Sequence, residues 1–201
     1  MQKIYFLINN CKKNGTLPFA GLARCAFVAT KILKSLTKKN ILTSKEIQEF
    51  YSSTPSITTE IRKTLVSCKK RKNMSNFFKK YGHIRPLSYS INSKNYKENF
   101  KNYFSKFNYV EKINKKKFTL SKNKKKKIDQ IFEKSGMKFN TNMFLTFARK
   151  VIYLREFAKL KFTKSIDEIF FNIRNLGKEM NLPSEMLEKI SIKDLLYFYN
   201  N

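Results

Sequence analysis

The sequence predicts an all-α fold, an irregular helical bundle with one long central helix. Apolar residues recur at steps of three and four along most of the 201 residues, no stretch alternates as a strand would, and no internal repeat occurs. The 41% hydrophobic and 14% aromatic content supplies enough apolar surface for a folded core. The length suits a single helical domain over residues 1–201.

Three helices are expected before residue 81. Between Pro18 and Leu36 the apolar residues form two stripes, which predicts a helix buried on two sides, with Pro18 in its first turn. A second helix is expected to begin at Thr43, because "TSKE" places Glu46 three residues later, as a capping box requires. A third is expected from about Ser56 to Lys80, with apolar residues on one face and lysines on the other.

The second half of the chain contains the longest helical signal. Gly82 and Pro86 interrupt the periodic pattern, and the lysine-rich segment 92–127 is weakly periodic, which predicts a partly irregular structure there. The run "NKKKKID" is interpreted as the solvated start of the next helix. Further helices are expected from Ser121 to Ser135, from about Asn140 to Met180 and, as one or two short closing helices, beyond Pro183.

A net charge of +29 is extreme and is typical of chains that bind nucleic acid, an anionic membrane or acidic ligands. Nearly all of this basic charge is lysine, whereas specific recognition of phosphates and bases prefers the planar guanidinium of arginine. A coding bias toward Lys, Asn, Ile and Phe explains the composition equally well. The charge is therefore a weak functional signal.

The cysteines and the single histidine argue against disulfides and metal sites. Cys11, Cys25 and Cys68 are odd in number and widely spaced, which predicts reduced, packed thiols in a cytoplasmic protein. One histidine and scattered cysteines give no cluster of metal ligands. The N-terminal "IYFLI" is too short for a signal peptide, and no apolar run approaches the roughly twenty residues of a membrane span. We expect a cytoplasmic protein without a membrane partner.

Common nucleotide, zinc and hydrolase motifs are absent, so candidate chemistry rests on isolated charges. His83 has no acid or nucleophile near it in sequence, which favours a role in stabilising a turn over acid–base catalysis. Arg155 and Lys159 share a helix face and could clamp a phosphate or carboxylate, with Glu156 as an ion-pair partner; the alternative is an ordinary pair of surface cations. Arg24 interrupts an apolar helix and needs a carboxylate or a ligand.

Three segments resemble proteins of the phosphoenolpyruvate synthase-like family, the ATP-dependent dikinases that include the rifampicin phosphotransferases. "GTLPFAGLARCAFVATKILKSL" resembles the family's GTxPFxxLARxAFxAxxLL helix, "YGHIRPLSYSI" its YGHLRPGTYDI segment, and "REFAKLKFTKSIDEI" its RExxKFxFTKxLS motif. Together they cover the chain from about Gly15 to Ile169. The similarity is to the helical region between an ATP-grasp-type domain and a mobile phosphohistidine domain.

The resemblance implies a region that binds the acceptor and is not catalytic alone. It assigns Arg155 and Lys159 to contacts with the reacting groups, with Glu156 between them, and adds Arg85 and Arg24 as further phosphate contacts. Gly82, His83 and Pro86 would form a structural loop. ATP and Mg²⁺ would bind a separate nucleotide-binding domain, so this chain would hold no cofactor. The implied partners are separately encoded ATP-binding and phosphohistidine domains and a small-molecule acceptor.

One departure from the family pattern bears on this assignment. Gly-Thr-Tyr-Asp after Arg-Pro becomes Leu87-Ser88-Tyr89-Ser90, so a glycine and a carboxylate are lost.

Two alternative functions stay open. The first is a polybasic module that holds RNA or DNA through Lys115–Lys117 and Lys124–Lys127 with interleaved aromatic residues. The second is a fragment of a split gene without activity.

Overall fold

A computed structural model describes residues 1–105 and 118–200 of the chain. Within these ranges every regular element is a helix and no strand occurs, which confirms the all-α prediction. The elements, in chain order, are α1 (Gln2–Cys11), a π-helical turn (Lys12–Thr16), α2 (Leu17–Lys38), α3 (Ser44–Ser53), α4 (Ile57–Lys70), α5 (Ser75–Tyr81), α6 (Phe100–Phe104), α7 (Lys122–Lys134), α8 (Thr141–Glu179), α9 (Ser184–Lys189) and α10 (Ile192–Asn200).

The chain divides into two compact units, each built from separate stretches of sequence. Unit 1 comprises residues 1–19, 60–109 and 158–201, and unit 2 comprises residues 20–59 and 110–157. Both units contain part of α8, which changes unit between Phe157 and Ala158. Folding as the single domain that the length suggests stays a prediction.

Each unit has its own apolar core. Unit 2 packs α2, α3, α7 and the first part of α8 around Leu33, Phe50 and Phe132, all almost fully buried. Unit 1 has two clusters. One joins α1 to the second part of α8 and to the closing helices through Ile8, Phe162 and neighbouring residues. The other surrounds Phe77, a fully buried residue of α5.

The N-terminal helix contains a widened turn just before Pro18. Proline has no N–H to donate to the carbonyl four residues earlier, that of Asn14. The chain forms a π-helical turn there instead, in which the Leu17 N–H donates to the Lys12 carbonyl five residues back. Pro18 lies in the first turn of α2, as predicted, although helical structure already begins at Gln2.

The helical segment Gln2–Lys38 is long and apolar enough, by length and composition, to cross a membrane. Its 18-residue window has a mean hydropathy of 1.3, and 22% of that window is buried. No apolar stretch of this length was expected from the sequence. The segment was missed because polar residues separate its apolar runs. A cytoplasmic location stays a prediction.

Burial on α2 is one-sided, which corrects the expectation of a helix buried on two sides. Ala26, Ala29 and Leu33 face the core of unit 2, while the Phe27 and Val28 side chains are 59% and 55% exposed. Each predicted stripe is therefore only partly buried: Phe27 of the first and Val28 of the second are exposed, while Leu36 of the second is buried. Cys25 is exposed, whereas Cys11 and Cys68 are buried free thiols.

Polar caps set the starts of α3 and α7. The Thr43 hydroxyl accepts from the Glu46 N–H, and the Glu46 carboxylate accepts from the Thr43 N–H at 2.8 Å, which confirms the predicted capping box. Ser121 caps α7 by accepting from the Lys124 N–H. The expected bounds of α7 and α8 agree with the structure to within a residue.

The helix expected from Ser56 to Lys80 is divided into α4 and α5. Lys72 adopts a positive φ of 51° between them, and the Asn73 N–H donates back to the Cys68 carbonyl, which ends α4. The Asn73 side chain then accepts from the Ser75 N–H at the start of α5. Of the segment 92–127, α6 and several turns are described, while residues 106–117 lie outside the described residues.

Candidate functional site

The loop after α5 begins at a glycine that the local packing requires. Gly82 follows Tyr81, and a Cβ at this position would lie 2.5 Å from the Phe78 carbonyl oxygen. The Gly82 and Ile84 carbonyls accept from the Lys97 and Tyr96 N–H groups, at 3.1 and 2.7 Å. The loop is thereby paired to the segment that precedes α6.

His83 fixes this loop to α8 within unit 1. Its side chain is buried, and Nε2 lies 2.9 Å from the Leu160 carbonyl oxygen. Since a carbonyl only accepts, Nε2 carries the proton in this contact. Burial lowers the pKa of His83, outweighing the opposing effects of the Leu160 carbonyl and Asp167, so the ring is neutral near pH 7. This geometry agrees with a turn-stabilising role.

Arg85 pairs with a carboxylate of the same unit. Its guanidinium, on a side chain only 2% exposed, forms an ion pair with Asp167 and lies 5.1 Å from the ring centre of Phe170. The Asn95 amide donates to the same Asp167 oxygen at 3.0 Å. The Arg85 Nη1 also lies 3.4 Å from the Ser90 carbonyl. A bound phosphate would have to share Arg85 with Asp167, so contact between Arg85 and a ligand stays a prediction.

Position 90, where the resemblance expects an aspartate, lies beside a carboxylate from another element. The Ser90 hydroxyl donates to Glu188 Oε1 at 2.9 Å, and the Asn92 amide donates to Glu188 Oε2 at 3.0 Å. A negative charge is therefore present next to Ser90, but α9 supplies it.

A cleft of about 700 Å³ lies beside this loop in unit 1. Its carboxylates have partners: Asp167 pairs with Arg85, Glu98 with Arg174 at 2.7 Å and Glu168 with Lys3 at 3.5 Å. Three cleft lysines have no carboxylate within ion-pair distance among the described residues; they are Lys79, Lys97 and Lys164. The cleft therefore has an excess of positive charge, a property of sites that take anions.

The predicted arginines and lysine are divided between the units. In unit 2, Arg155 Nη2 lies 3.1 Å from Glu156 Oε1 and its guanidinium 5.6 Å from the Phe27 ring centre, while Arg24 is exposed. Lys159, in unit 1, is half-buried. The structure therefore brings Arg155 and Glu156 together as an ion pair, and their role toward a substrate stays a prediction.

The lysine runs of the alternative hypothesis are only partly described. Lys124, in the first turn of α7, is held by Glu46, with Nζ–Oε distances of 2.6 and 2.7 Å. Lys115–Lys117 lies outside the described residues. Nucleic-acid binding by these runs stays a prediction.

Several residues of the cleft were not predicted from the sequence as site residues. Asp167, Asn95 and Arg174 contact groups 72 or more residues away, and no local pattern identifies such partners. A weaker signal was present along α8, where every third or fourth residue lies on the cleft side: Lys164, Asp167, Glu168, Phe171 and Arg174.

Comparison with known proteins finds no family model, no curated protein and no solved structure that matches the chain. Across residues 1–105 and 118–200 no three His, Cys, Asp or Glu side chains group closely enough to hold a metal ion.

Proposed function

We propose that the chain is the helical, acceptor-binding region of a phosphoenolpyruvate synthase-like ATP-dependent phosphotransferase, not catalytic alone. One observation carries the proposal. Parts of the three segments that resemble this family meet in unit 1, on the stretch of α8 between Leu160 and Asp167.

The three meeting points are direct contacts. Phe19, from the first segment, packs on Phe162 with ring centres 5.1 Å apart. His83 and Arg85, from the second, contact the Leu160 carbonyl and Asp167. A single acceptor-binding region requires its segments to adjoin one another, and these contacts within unit 1 meet that requirement, which supports the proposal.

The cleft beside this meeting point is the proposed site for a phosphate-bearing ligand. Gly82 and His83 contribute to its wall from the second segment, and Lys164 and Asp167 from the third. Lys79, Lys97 and Lys164 would neutralise the negative charge of a phosphorylated acceptor or product, which is the usual protein contribution to phosphoryl transfer. Arg155 and Lys159 do not line this cleft, so the contacts to the reacting groups that the resemblance assigns to them are a separate part of the proposal.

Nucleotide chemistry is assigned to partners. ATP and Mg²⁺ would act on a separate nucleotide-binding domain, and a phosphohistidine domain would carry the phosphoryl group. This chain would bind the acceptor and hold it in a fixed position.

Binding of phosphoenolpyruvate to the purified chain, followed by ³¹P NMR line broadening, tests the cleft. Replacing Lys79, Lys97 and Lys164 by Gln should weaken binding about tenfold or more near physiological salt. The control replaces Lys80, Lys101 and Lys178 by Gln, which removes the same charge from lysines outside the cleft. Equal weakening in both triple variants would mean general attraction to a basic protein and would contradict the proposed site.

The roles of Arg155 and Lys159 need a transfer assay. Reconstitution with separately encoded ATP-binding and phosphohistidine domains should give phosphotransfer that falls with Arg155→Ala and with Lys159→Ala. Transfer indifferent to both changes would show that the roles assigned by the resemblance are wrong.

A further inference from the structure

A second cavity lies in unit 1, on the other side of α8 from the charged cleft. Its volume is about 340 Å³, and it shares no lining residue with the cleft. The walls come from α1, the π-helical turn, α8, α9, α10 and the loop that carries Tyr89 and Ile91. Its α8 wall is one apolar stripe with the three- and four-residue spacing of a single helix face: Ile166, Ile169, Phe170 and Ile173.

The polar groups in the cavity wall are few, and most already have partners. Glu188 accepts from Ser90 and Asn92, and the Thr16 hydroxyl donates to the Lys12 carbonyl at 3.1 Å. The ammonium group of Lys12 has no carboxylate within ion-pair distance in the part of the chain that the structure describes. The cavity thus combines an apolar interior with one lysine in its wall, Lys12, that has no ion-pair partner among the described residues.

The position of the π-helical turn adds a second observation. Lys12 and Thr16, the two ends of that turn, both line the cavity, and Cys11 immediately before it does so too. Single π-helical turns are rare, and those that occur are often found at functional sites. Widening the helix here lets Gly15 approach Phe162 closely, since a Cβ on Gly15 would lie 2.8 Å from the Phe162 Cβ.

The volume bounds the size of an occupant. An apolar cavity of about 150 Å³ holds benzene. A cavity of about 340 Å³ would by proportion take roughly ten to fourteen non-hydrogen atoms. Ligand sites in proteins are mostly apolar with a small number of polar groups that orient the ligand, and this cavity has that character.

We propose that this cavity binds a compact monocarboxylate with an apolar body, such as a medium-chain fatty acid, with the carboxylate at Lys12. The charges select this class. A second negative group on the ligand would approach Glu188, and a neutral ligand would leave Lys12 unused. This site is separate from the cleft and does not depend on the proposed transferase function.

The three cysteines provide a built-in assay for occupancy. Cys11 lines the cavity, Cys68 is buried in the cluster around Phe77, and Cys25 is exposed. Burial raises the pKa of the Cys11 thiol, so its reaction with N-ethylmaleimide is slow and depends on access. Octanoate, with about ten non-hydrogen atoms, is the probe, and peptide mass spectrometry gives the labelling rate at each cysteine.

Octanoate below about 1 mM should slow modification of Cys11 about fivefold or more, while the exposed Cys25 changes less than about twofold. Equal slowing at Cys11 and Cys25 would indicate a general effect of octanoate on the labelling reaction and would overturn the proposal. So would an absence of slowing at Cys11. Protection by 1-octanol as strong as that by octanoate would overturn the assignment of a carboxylate ligand.

Two neighbouring lysines make the matched comparison for the charge. Lys12 lines the cavity and Lys13 does not, although both are exposed on the π-helical turn. Lys12→Gln should weaken octanoate protection of Cys11 about fivefold, and Lys13→Gln should leave it within about twofold. Equal effects of the two changes would overturn the role of Lys12.

A third variant, Ile173→Trp, fills the cavity. Provided that circular dichroism shows a folded chain, this variant should lose octanoate protection of Cys11. Protection retained in the folded variant would overturn the site.

Discussion

The Arg85 guanidinium and the Asp167 carboxylate form an ion pair that joins the loop after α5 to α8 across 82 positions of sequence. The Arg85 side chain is 2% exposed and that of Asp167 is 21% exposed. Burial of a cation is unfavourable unless a carboxylate accompanies it. The pair therefore holds in place the loop that forms one wall of the charged cleft.

Asp167→Asn should lower the free energy of unfolding by about 2–4 kcal/mol, because the buried Arg85 would lose its counter-charge. Urea unfolding followed by circular dichroism measures the change. Glu168→Gln is the control. Its pair with Lys3 is exposed, at 50% and 63%, so that change should cost less than about 1 kcal/mol. Similar costs for the two variants would contradict a structural role for the Arg85–Asp167 pair.

Acidification should destabilise the chain through His83. Burial lowers the pKa of His83 in the folded state, so the unfolded chain binds a proton first and stability falls as the pH falls from about 7 toward 5. The slope from this group is at most about 1.4 kcal/mol per pH unit. His83→Gln keeps a donor for the Leu160 carbonyl and removes the titration, so its stability should vary less across this range.

Urea midpoints between about pH 5 and pH 7.5 measure this difference. The window separates His83 from Glu46 and Asp194, whose pKa values are lowered from 4.5 and 3.8 and which titrate at lower pH. His83 is also the only histidine in the sequence. Parallel pH profiles for the parent chain and His83→Gln would contradict the assigned origin of the effect.

Local sequence signals predicted the helices whose ends depend on neighbouring residues. Local sequence is sufficient to predict three of these features, which are the Thr43 and Glu46 pair, the Ser121 cap and the periodicity of α8. The break at Lys72 was missed because a lysine, not a glycine, adopts the positive φ. Helix α1 was not predicted, because "IYFLI" was considered only as a possible signal peptide and not as part of a longer helix.

The candidate site was less predictable because its contacts join distant positions. The resemblance implied that Arg85 contacts a phosphate, whereas its ion pair with Asp167 depends on how the loop packs on α8. Likewise, the resemblance marked position 90 as one where an aspartate is expected, and only the fold brings Glu188 next to Ser90. Residue type indicates which groups need partners; tertiary packing decides which groups supply them.

Two glycines should respond in opposite directions to alanine. At Gly15 a Cβ would lie 2.8 Å from the Phe162 Cβ, so Gly15→Ala should destabilise the chain by about 1–3 kcal/mol. At Gly21, on α2, a Cβ would meet nothing within 4 Å, so Gly21→Ala should stabilise by about 0.5–1 kcal/mol through helix propensity. Thermal or urea unfolding of both variants measures the signs, and a stabilising Gly15→Ala would refute the close packing at the π-helical turn.

An aspartate at position 90, which the resemblance expects, should destabilise this chain. The Ser90 hydroxyl donates to Glu188 at 2.9 Å, so Ser90→Asp would replace a donor with a negative charge next to that carboxylate. We expect a loss of about 1–2 kcal/mol in the free energy of unfolding, because the lost hydrogen bond adds to repulsion between two partly exposed carboxylates. Combining Ser90→Asp with Glu188→Gln should recover most of this loss, since the amide of Gln can donate to the new carboxylate. A double-mutant cycle from urea unfolding gives the coupling energy between the two positions, and a coupling near zero would contradict the direct contact between Ser90 and Glu188.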